Sequence, residues 1–449
     1  MNKITNAEIF KAKNADELLN DLRGFEQYFE RLRPNYGFEM QIKFLEHYYS
    51  QNPMFKNRLF SLYLKCMNAW GDSRLGLEIS RIMVETSKKI SDVGQNLYGL
   101  PLINENNLFV ARVGELFDQA ASTLLQRQLG TINHKPILIL PPDQLAKINY
   151  AAIPYLEDCY EIVTEQKEVA YYQINKNFSP YFAFFFKFSD KQYGHNSYFA
   201  VDCFSDLKTQ NINPCPFELK DITIDRAMKF LKNYGLKIDD KFVVLHLREE
   251  GYADAKWHVH RNTNPNSYVA AIEYFLDQGL KVIRIGNKKM SYMLKSPGFI
   301  DLTKEEKPPE VDIFLSAHAK FYFGSASGPS SISFNFGVPC CLVGANIAGV
   351  RHNNFIRFLK FKNISTGKII TVDEVEALNL KDVFAPKPLA DRGLLPIVPN
   401  SNDNLNFAKE IIEYFDKGNI FHLNEKYKPQ RNKHKILGGL CTDSLSLLT

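Results

Sequence analysis

The chain has 449 residues, and 55 Lys and Arg against 50 Asp and Glu give it a formal net charge of only +5. The length suits two or three domains, and 45% hydrophobic with 23% charged residues is ordinary for folded proteins, which excludes wholesale disorder. The small, dispersed charge excludes the concentrated basic field of a nucleic-acid binder, so we expect no nucleic-acid partner.

Cysteine usage and hydropathy indicate the cellular compartment that we expect for the protein. The seven cysteines are scattered without a Cys-x-x-Cys pair, which favours neither a structural zinc site nor a disulfide framework. Residues 1–12 already carry Asn, Lys and Glu where a secretory signal needs an apolar run, and no stretch approaches the roughly 18 apolar residues of a membrane span. We expect a cytoplasmic protein and leave peripheral membrane association open.

The first 104 residues follow a helical pattern. Leu, Phe and Tyr recur at intervals of three and four residues in segments 15–31, 38–49 and 58–90. We interpret this region as a helical extension that packs on the next domain. The alternative is a protein-interaction scaffold.

From residue 105 the pattern changes to strands alternating with helices. Strands are predicted at 108–112, 136–140 and 160–163, with a turn at Val113–Gly114 and a helix at 115–129. Such alternation indicates a parallel sheet with crossover helices. We assign residues 105–220 to a first Rossmann-like domain and leave the structure of 165–220 open.

A second alternating unit covers residues 221–384. Its strands are predicted at 242–247, 281–285, 320–323 and 339–343, and its helices at 222–236, 267–278, 311–319 and 329–336, with Ser267 as a helix cap. This order predicts a doubly wound sheet with its ligand crevice at the carboxyl ends of the strands. Residues 385–449 add a helix at 405–415 and a tail whose basic run, 426–435, we interpret as solvated.

Candidate site residues gather where the strands of the second unit end. His246 and Arg248 have the same parity, so both project to one side of the first strand as it leaves the sheet. Arginine offers a rigid fork of donors to a phosphate or a carboxylate. The alternative is an ordinary ion pair with Glu249 or Glu250.

Two further stretches follow strands of the same unit. His258 and His260 lie in a long loop, but no third ligand stands at a supporting spacing, so we predict no metal there. Gly286 permits a tight turn after the next strand, and Asn287 can hydrogen-bond a sugar or a base.

A turn of small residues joins the third strand to its helix. It reads Gly-Ser-Ala-Ser-Gly-Pro-Ser-Ser over 324–331, and Pro329 fits a first helical turn. The N–H groups of Ser330 and Ser331, with the helix dipole, predict an anion site, and a simple capped helix start is the alternative. The turn matches neither the dinucleotide nor the Walker pattern, which disfavours NAD and ATP by those routes.

These pieces together resemble a known family. The segments 246–248, 284–287, 312–328 and 336–339 resemble a poorly characterised family of bacterial glycosyltransferases, over roughly residues 105–350. They are more distantly similar to the O-fucosyltransferase and fucosyltransferase superfamily of GT-B fold. The resemblance implies two Rossmann-like domains facing a cleft, a nucleotide-sugar donor on the second domain, and a glycan or glycoconjugate acceptor on the first. It also implies a role in surface polysaccharide or glycoconjugate synthesis, without a cofactor.

Carried over residue by residue, the resemblance assigns roles. Arg248 matches the donor-phosphate arginine, and Asp312 matches an acidic residue of the last donor-domain helix, where helix capping is the alternative. Glu249 and Glu250 stand where some fucosyltransferases have a second basic residue, which argues against GDP-fucose. The expected donor-binding residues are Arg248, Tyr252, Arg261, Asn262, Arg284, Gly286, Asn287, Asp312, Ser325, Ser327, Gly328, Ser330 and Ser331.

The expected chemistry is transfer without a metal. No Asp-x-Asp is present, and arginines with a helix N-terminus can stabilise a diphosphate leaving group. An inverting reaction needs a base for the acceptor proton, and Glu249, His246 and Glu115 are the candidates. A non-glycosyl α/β group transferase, or a nucleotide-binding protein, is the alternative.

Overall fold

The computed structural model describes residues 38–51, 62, 75, 78–79, 81–82, 113–128, 135–167, 185–188, 191–194, 207, 217–249, 261–293, 295–345, 354–378, 380, 389–417, 425–434, 436 and 438–448. Every described residue among the first 104 is helical, as the periodicity predicts, and helix α1 is Phe38–Gln51. Within the described residues no helix combines the length and apolar character that crossing a membrane requires.

The first α/β unit contains two paired parallel strands. Its elements are α2 (Val113–Gln128), β1 (Ile137–Ile139), α3 (Pro142–Leu145), α4 (Ile153–Cys159) and β2 (Glu161–Val163). The predicted turn at Val113–Gly114 is wrong, because both residues belong to the first turn of α2. The predicted strand at 108–112 lies outside the described residues. An antiparallel pair follows, β3 (Phe185–Phe188) with β4 (Lys191–Gly194).

The second unit is a seven-stranded parallel sheet. Its strands are β5 (Phe242–His246), β6 (Lys281–Arg284), β7 (Phe299–Asp301), β8 (Phe321–Ser325), β9 (Cys340–Ala345), β10 (Asn354–Phe358) and β13 (Gly439–Leu440), in the order β13-β10-β9-β8-β5-β6-β7. All of its pairings are parallel, so the predicted α/β class is confirmed. Sequence reasoning missed β7, β10 and β13, which are short or follow no clear helix. A separate antiparallel pair joins β11 (Lys360–Asn363) to β12 (Leu394–Ile397).

The helices of this unit lie near their predicted positions. They are α5 (Asp221–Leu231), α6 (Val269–Asp277), α7 (Pro309–His318), α8 (Gly328–Asn335), α9 (Val372–Ala377), α10 (Ser401–Lys417), α11 (Lys428–Lys433) and α12 (Thr442–Leu445). Ser267 is not the cap before α6: a short 3₁₀ turn precedes this helix, and the Asn264 side chain caps that turn by accepting from the Asn266 N–H at 3.0 Å. The reason is Pro265, which suits the first position of a turn.

The sheet buries both of its faces. Val244, Ile283 and Tyr322 face the core shared with α5 and α7, and Val243 and Phe321 face the core shared with α6 and α10. Successive side chains of a strand point to opposite faces, so a sheet covered on both sides needs continuous apolar strands. This explains why β5 and β8 are apolar at almost every position.

The end of the chain belongs to this fold. Helix α11 carries no buried residue, in agreement with a solvated basic run. The chain after it is different: His434, Ile436 and Leu440 are buried, and β13 adds the edge strand beside β10. The expectation of a solvated run over 426–435 is therefore wrong at His434, and the residues Ile436 and Leu440 that follow belong to the core.

The first unit packs on α8 of the second. Phe117 and Tyr155 meet Phe336 with ring centroids 5.6 and 5.3 Å apart. Inside the same contact, the Asn335 amide donates to the Asp118 carboxylate at 2.7 Å. This packing brings the start of α2 to the start of α8, and with it to the turn that opens α8.

Candidate functional site

The close pairing of β5 with β8 sets the geometry of the site. His246 is the register partner of Gly324, and a Cβ on Gly324 would lie 2.2 Å from the His246 carbonyl oxygen. The φ of Gly324 is +131°, a conformation that glycine adopts without strain. Glycine thus lets the serine-rich turn lie directly against the residues that follow β5.

Arg248 connects three of the predicted site segments. Its backbone N–H donates to Ser325 Oγ at 3.1 Å, and its Nε donates to Asn262 Oδ1 at 3.2 Å. Its carbonyl accepts from the Thr263 N–H at 2.8 Å. The structure therefore brings Arg248, Asn262 and Ser325 together at one edge, with Arg248 and Asn262 partly exposed.

Arg261 also binds this serine-rich turn. Its guanidinium donates to the Ala326 carbonyl. Tyr322, from within β8, donates its hydroxyl to the Ser325 carbonyl at 2.7 Å and lies 3.1 Å from Ser327 Oγ. Burial raises the pKa of Tyr322, so its phenol stays protonated and remains a donor. Sequence reasoning missed Tyr322; its only signal was a hydroxyl in an otherwise apolar strand.

The start of α8 uses much of its own hydrogen-bonding capacity. Ser330 Oγ accepts from the Ser327 N–H at 3.0 Å and lies 2.7 Å from the Ser327 carbonyl. The Ser331 N–H donates to that same carbonyl at 3.3 Å. The prediction that the Ser331 N–H faces a ligand needs correction, because this group stabilises the helix start, as the Ser330 hydroxyl also does. The Gly328 N–H, in the first position of the helix, has no partner inside the helix.

Two helix N-termini meet at this point. A Cβ on Gly114, in the first turn of α2, would lie 2.4 Å from the Gly328 Cα, so the two backbones are in direct contact. Each N-terminus carries about half a positive charge, and their proximity is unfavourable unless a negative group lies nearby. Glu115, the next residue of α2, is partly exposed and supplies one such group.

Arg284 and Glu249 lie inside the protein and bind each other. The Arg284 guanidinium is fully buried: it pairs with Glu249, and with Asp301 at 2.8 Å, and donates to the Ser291 carbonyl at 2.7 Å. Glu249 also accepts from the Ser291 N–H at 2.9 Å. The predictions of Arg284 as a donor ligand and of Glu249 as a base are corrected here, because each charge is taken up by the other.

His246 is a buried, neutral histidine. Its Nδ1 lies 3.1 Å from the Ile285 carbonyl oxygen, which can only accept, so Nδ1 carries the proton. Burial lowers the pKa of His246 to about 4. Because a general base works best with a pKa near the working pH, His246 is poorly suited to take the acceptor proton.

A charged cavity lies beside the end of β6. Its volume is about 600 Å³, and its lining residues are Lys288, Glu305, Glu306, Lys307, Pro309 and Asp312. Lys307 Nζ lies 3.5 Å from the Asp312 carboxylate and donates to the Gly286 carbonyl at 3.1 Å. Asn287 forms a local turn by accepting from the Lys289 N–H at 2.9 Å. Asp312 thus lines a cavity two strands away from the serine-rich turn, and Gly286 contacts the lining residue Lys307. Tyr252 lies outside the described residues.

Comparison with solved structures finds similarity at low sequence identity. No family model matches the chain, and no curated protein matches it. It is similar to the glycosyl transferase family 9 protein of Veillonella parvula, at 11% identity and a TM-score of 0.33, over 54% of this chain and 79% of that one. It is also similar to the iron-containing dodecameric glycosyltransferase TibC of enterotoxigenic E. coli, at 13% identity and a TM-score of 0.31, over 56% of this chain and 61% of that one.

A third similar structure is the E. coli heptosyltransferase WaaC with ADP. The identity is 11% and the TM-score 0.27, over 55% of this chain and 88% of that one. All three are glycosyltransferases by their descriptions. The similarity to the fucosyltransferase superfamily stays a prediction.

Proposed function

We propose that the protein is a glycosyltransferase that takes its sugar from a nucleoside-diphosphate donor. One observation carries the proposal: the Arg248 backbone N–H and the Arg261 guanidinium both donate to the turn at 325–327, and the N-termini of α2 and α8 meet beside it. Two guanidinium groups and two helix N-termini form an electropositive place that suits a diphosphate.

The reaction follows from that charge. When the sugar leaves the donor, the diphosphate gains negative charge, and preorganised donors stabilise it without rearranging. Arg248 and Arg261 supply this stabilisation in our proposal, so transfer needs no metal at the diphosphate. We assign the nucleoside to the cavity that Lys307 and Asp312 line, whose volume is typical of a small-molecule site.

We assign the role of base to Glu115. Of the three candidates, His246 is buried and neutral, and Glu249 is held by Arg284. Glu115 is partly exposed, on the other unit, one residue from the contact with Gly328. The acceptor hydroxyl would then lie on the α2 side and lose its proton to the Glu115 carboxylate as it attacks the sugar. By the family resemblance, we propose a glycan or glycoconjugate acceptor and a role in surface polysaccharide synthesis.

Nucleotide binding is the first test. Calorimetry with ADP, GDP, UDP, CMP and pyrophosphate identifies the base, and Arg248→Lys is compared with Arg127→Lys, an exposed arginine that donates to the Asp158 carbonyl. We expect Arg248→Lys to bind the best nucleotide about 10–100-fold more weakly, because an ammonium cannot replace a bidentate fork. The control should bind as the wild type does. Equal binding by both variants would remove the diphosphate site.

Catalysis is tested separately from binding. Glu115→Gln should keep the wild-type affinity for the nucleotide and lose transfer to the acceptor, as measured by release of nucleoside diphosphate. Release should persist in excess EDTA. If EDTA abolishes release and Mn²⁺ restores it, the proposed metal independence is wrong. If Glu115→Gln transfers at the wild-type rate, another group is the base.

A further inference from the structure

A cluster of charged side chains lies far along the chain from the candidate site. Asp373 and Glu376 stand one helical turn apart on α9, and His434 follows the end of α11. The His434 side chain is 1% exposed. Its Nε2 lies 3.2 Å from Asp373 Oδ1, and its Nδ1 lies 3.0 Å from Glu376 Oε2. One ligand atom of each residue can be chosen so that all three lie within 4.8 Å of one another.

The imidazole of His434 is close to these oxygens without being hydrogen-bonded to them. Within the described part of the chain, neither of its ring nitrogens makes a hydrogen bond, although both are buried. A buried polar group normally has a partner, because the loss of its hydration is otherwise uncompensated. The distances are short enough for hydrogen bonds, so the geometry fails in direction: the N–H groups do not point at the oxygens.

A cation bound between His434 Nε2 and Asp373 accounts for one short distance with poor hydrogen-bond direction. The same ion cannot also bind Nδ1, because the two ring nitrogens point away from each other. Zinc binds imidazole nitrogen at about 2.0–2.1 Å and carboxylate oxygen at about 2.0–2.2 Å. For angles of about 90–110° at the ion, two ligand atoms of one such ion therefore lie roughly 2.8–3.5 Å apart, each directed at the ion and not at the other. The separation of 3.2 Å between His434 Nε2 and Asp373 Oδ1 falls in that range.

We propose that Asp373, Glu376 and His434 form a binding site for a divalent first-row transition metal such as Zn²⁺. One ring nitrogen and one oxygen from each carboxylate are the protein ligands, and water completes the coordination. An imidazole with two carboxylates suits zinc or manganese, whereas magnesium and calcium prefer oxygen ligands alone. The site is separate from the proposed diphosphate site and does not depend on it.

Lys433 is the competitor for this site. Its ammonium donates to Asp373 Oδ1 at 2.6 Å and to Oδ2 at 2.8 Å, so it occupies the carboxylate oxygens that a cation would bind. The Lys433 side chain is 60% exposed, so it can turn into solvent when a metal binds. A bound metal would cross-link α9 to the segment that leads to β13.

The test uses untagged full-length protein treated with a chelator and then dialysed. We expect calorimetry to show one equivalent of Zn²⁺ bound, with a rise in melting temperature that Mg²⁺ does not produce. Co²⁺ should give visible absorption bands of a protein-bound ion in the wild-type protein. Absence of saturable binding by both Zn²⁺ and Mn²⁺ would overturn the proposal.

Variants decide whether the metal is at this site. His434→Ala and Glu376→Gln should each weaken Zn²⁺ binding by at least about tenfold, since even the loss of a hydrogen bond to a metal ligand costs about 10–100-fold. The matched control is His318→Ala, an exposed histidine whose Nε2 lies 2.8 Å from the Ile238 carbonyl. Lys433→Met should bind Zn²⁺ more tightly than the wild type, because the competing ammonium is gone. If His434→Ala does not fold, Glu376→Gln decides, and wild-type affinity in that variant rejects the site.

Discussion

Two arginines at neighbouring strand ends of one sheet have opposite surroundings. Arg284 ends β6, is fully buried, and binds the carboxylates of Glu249 and Asp301. Arg248 follows β5, is partly exposed, and donates to the neutral amide of Asn262. A buried guanidinium is tolerated only with charged partners, whereas an arginine at an open edge can keep donors for a ligand. Position relative to the strand end separates a structural arginine from a candidate ligand-binding one.

The sharpest test makes the same substitution at both arginines. Arg284→Met should lower the free energy of unfolding by about 3–5 kcal/mol, because Glu249 keeps its charge in a buried place without its partner. Arg248→Met should leave that free energy within about 1 kcal/mol of the wild type and weaken nucleotide binding instead. Denaturant unfolding and calorimetry measure the two effects.

A double variant controls for cavity effects at Arg284. Adding Glu249→Gln to Arg284→Met removes the uncompensated charge, so part of the lost stability should return. If Arg284→Met and Arg248→Met lower the free energy of unfolding equally, the contrast between the two arginines is wrong.

His246, at the end of β5, predicts that the folded protein loses stability at acidic pH. Its pKa is lowered by burial from 6.5 to about 4, so the unfolded chain binds a proton at pH values where the folded protein does not. The free energy of unfolding therefore falls as the pH drops from 6.5 towards 4, by roughly 3 kcal/mol for this group.

The matched variant for this effect is His246→Asn, whose amide can still donate to the Ile285 carbonyl. Unfolding measured at pH 7 and at pH 4.5 should show a smaller loss of stability in the variant than in the wild type. An identical loss in both proteins would show that other groups cause the acid sensitivity.

The contact between the starts of α2 and α8 predicts that substitutions of Gly114 and Gly328 differ in their effect on stability. A Cβ on Gly114 would lie 2.4 Å from the Gly328 Cα, whereas a Cβ on Gly328 would approach Gly114 N only to 3.4 Å. Gly114→Ala should therefore lower the free energy of unfolding by about 1–3 kcal/mol, since backbone must move. Gly328→Ala should change it by less than about 1 kcal/mol while weakening nucleotide binding. Thermal melts and calorimetry on both variants test this, and equal destabilisation would contradict the asymmetry.

The smallest effect is expected at Ser325. Its hydroxyl accepts from the Arg248 N–H, so Ser325→Ala removes one neutral hydrogen bond, worth about 1 kcal/mol. Stability should fall by about that amount, and nucleotide affinity should change by no more than about fivefold. A loss as large as that of Arg248→Lys would mean that the hydroxyl itself binds the ligand.

The elements that sequence patterns predicted well are those whose local signals agree with their burial. Strands β5 and β8 are apolar at almost every position, which is typical of a sheet whose two faces are both covered by helices. The short strands β7 and β13 carry no such signal, because their neighbours in the sheet, and not their own pattern, make them strands.

The candidate site also contains features that the sequence predicts and features that it does not. The sequence alone determined that an arginine, a serine-rich turn and a helix start follow parallel strands, and parallel strands bring such ends to one edge. It could not distinguish Arg248 from Arg284, since both follow apolar residues and only the folded chain brings carboxylates to one of them. The tertiary structure also decided that Gly114 meets Gly328 and that His434 meets Asp373, because contacts between residues far apart in the chain leave no local pattern in the sequence.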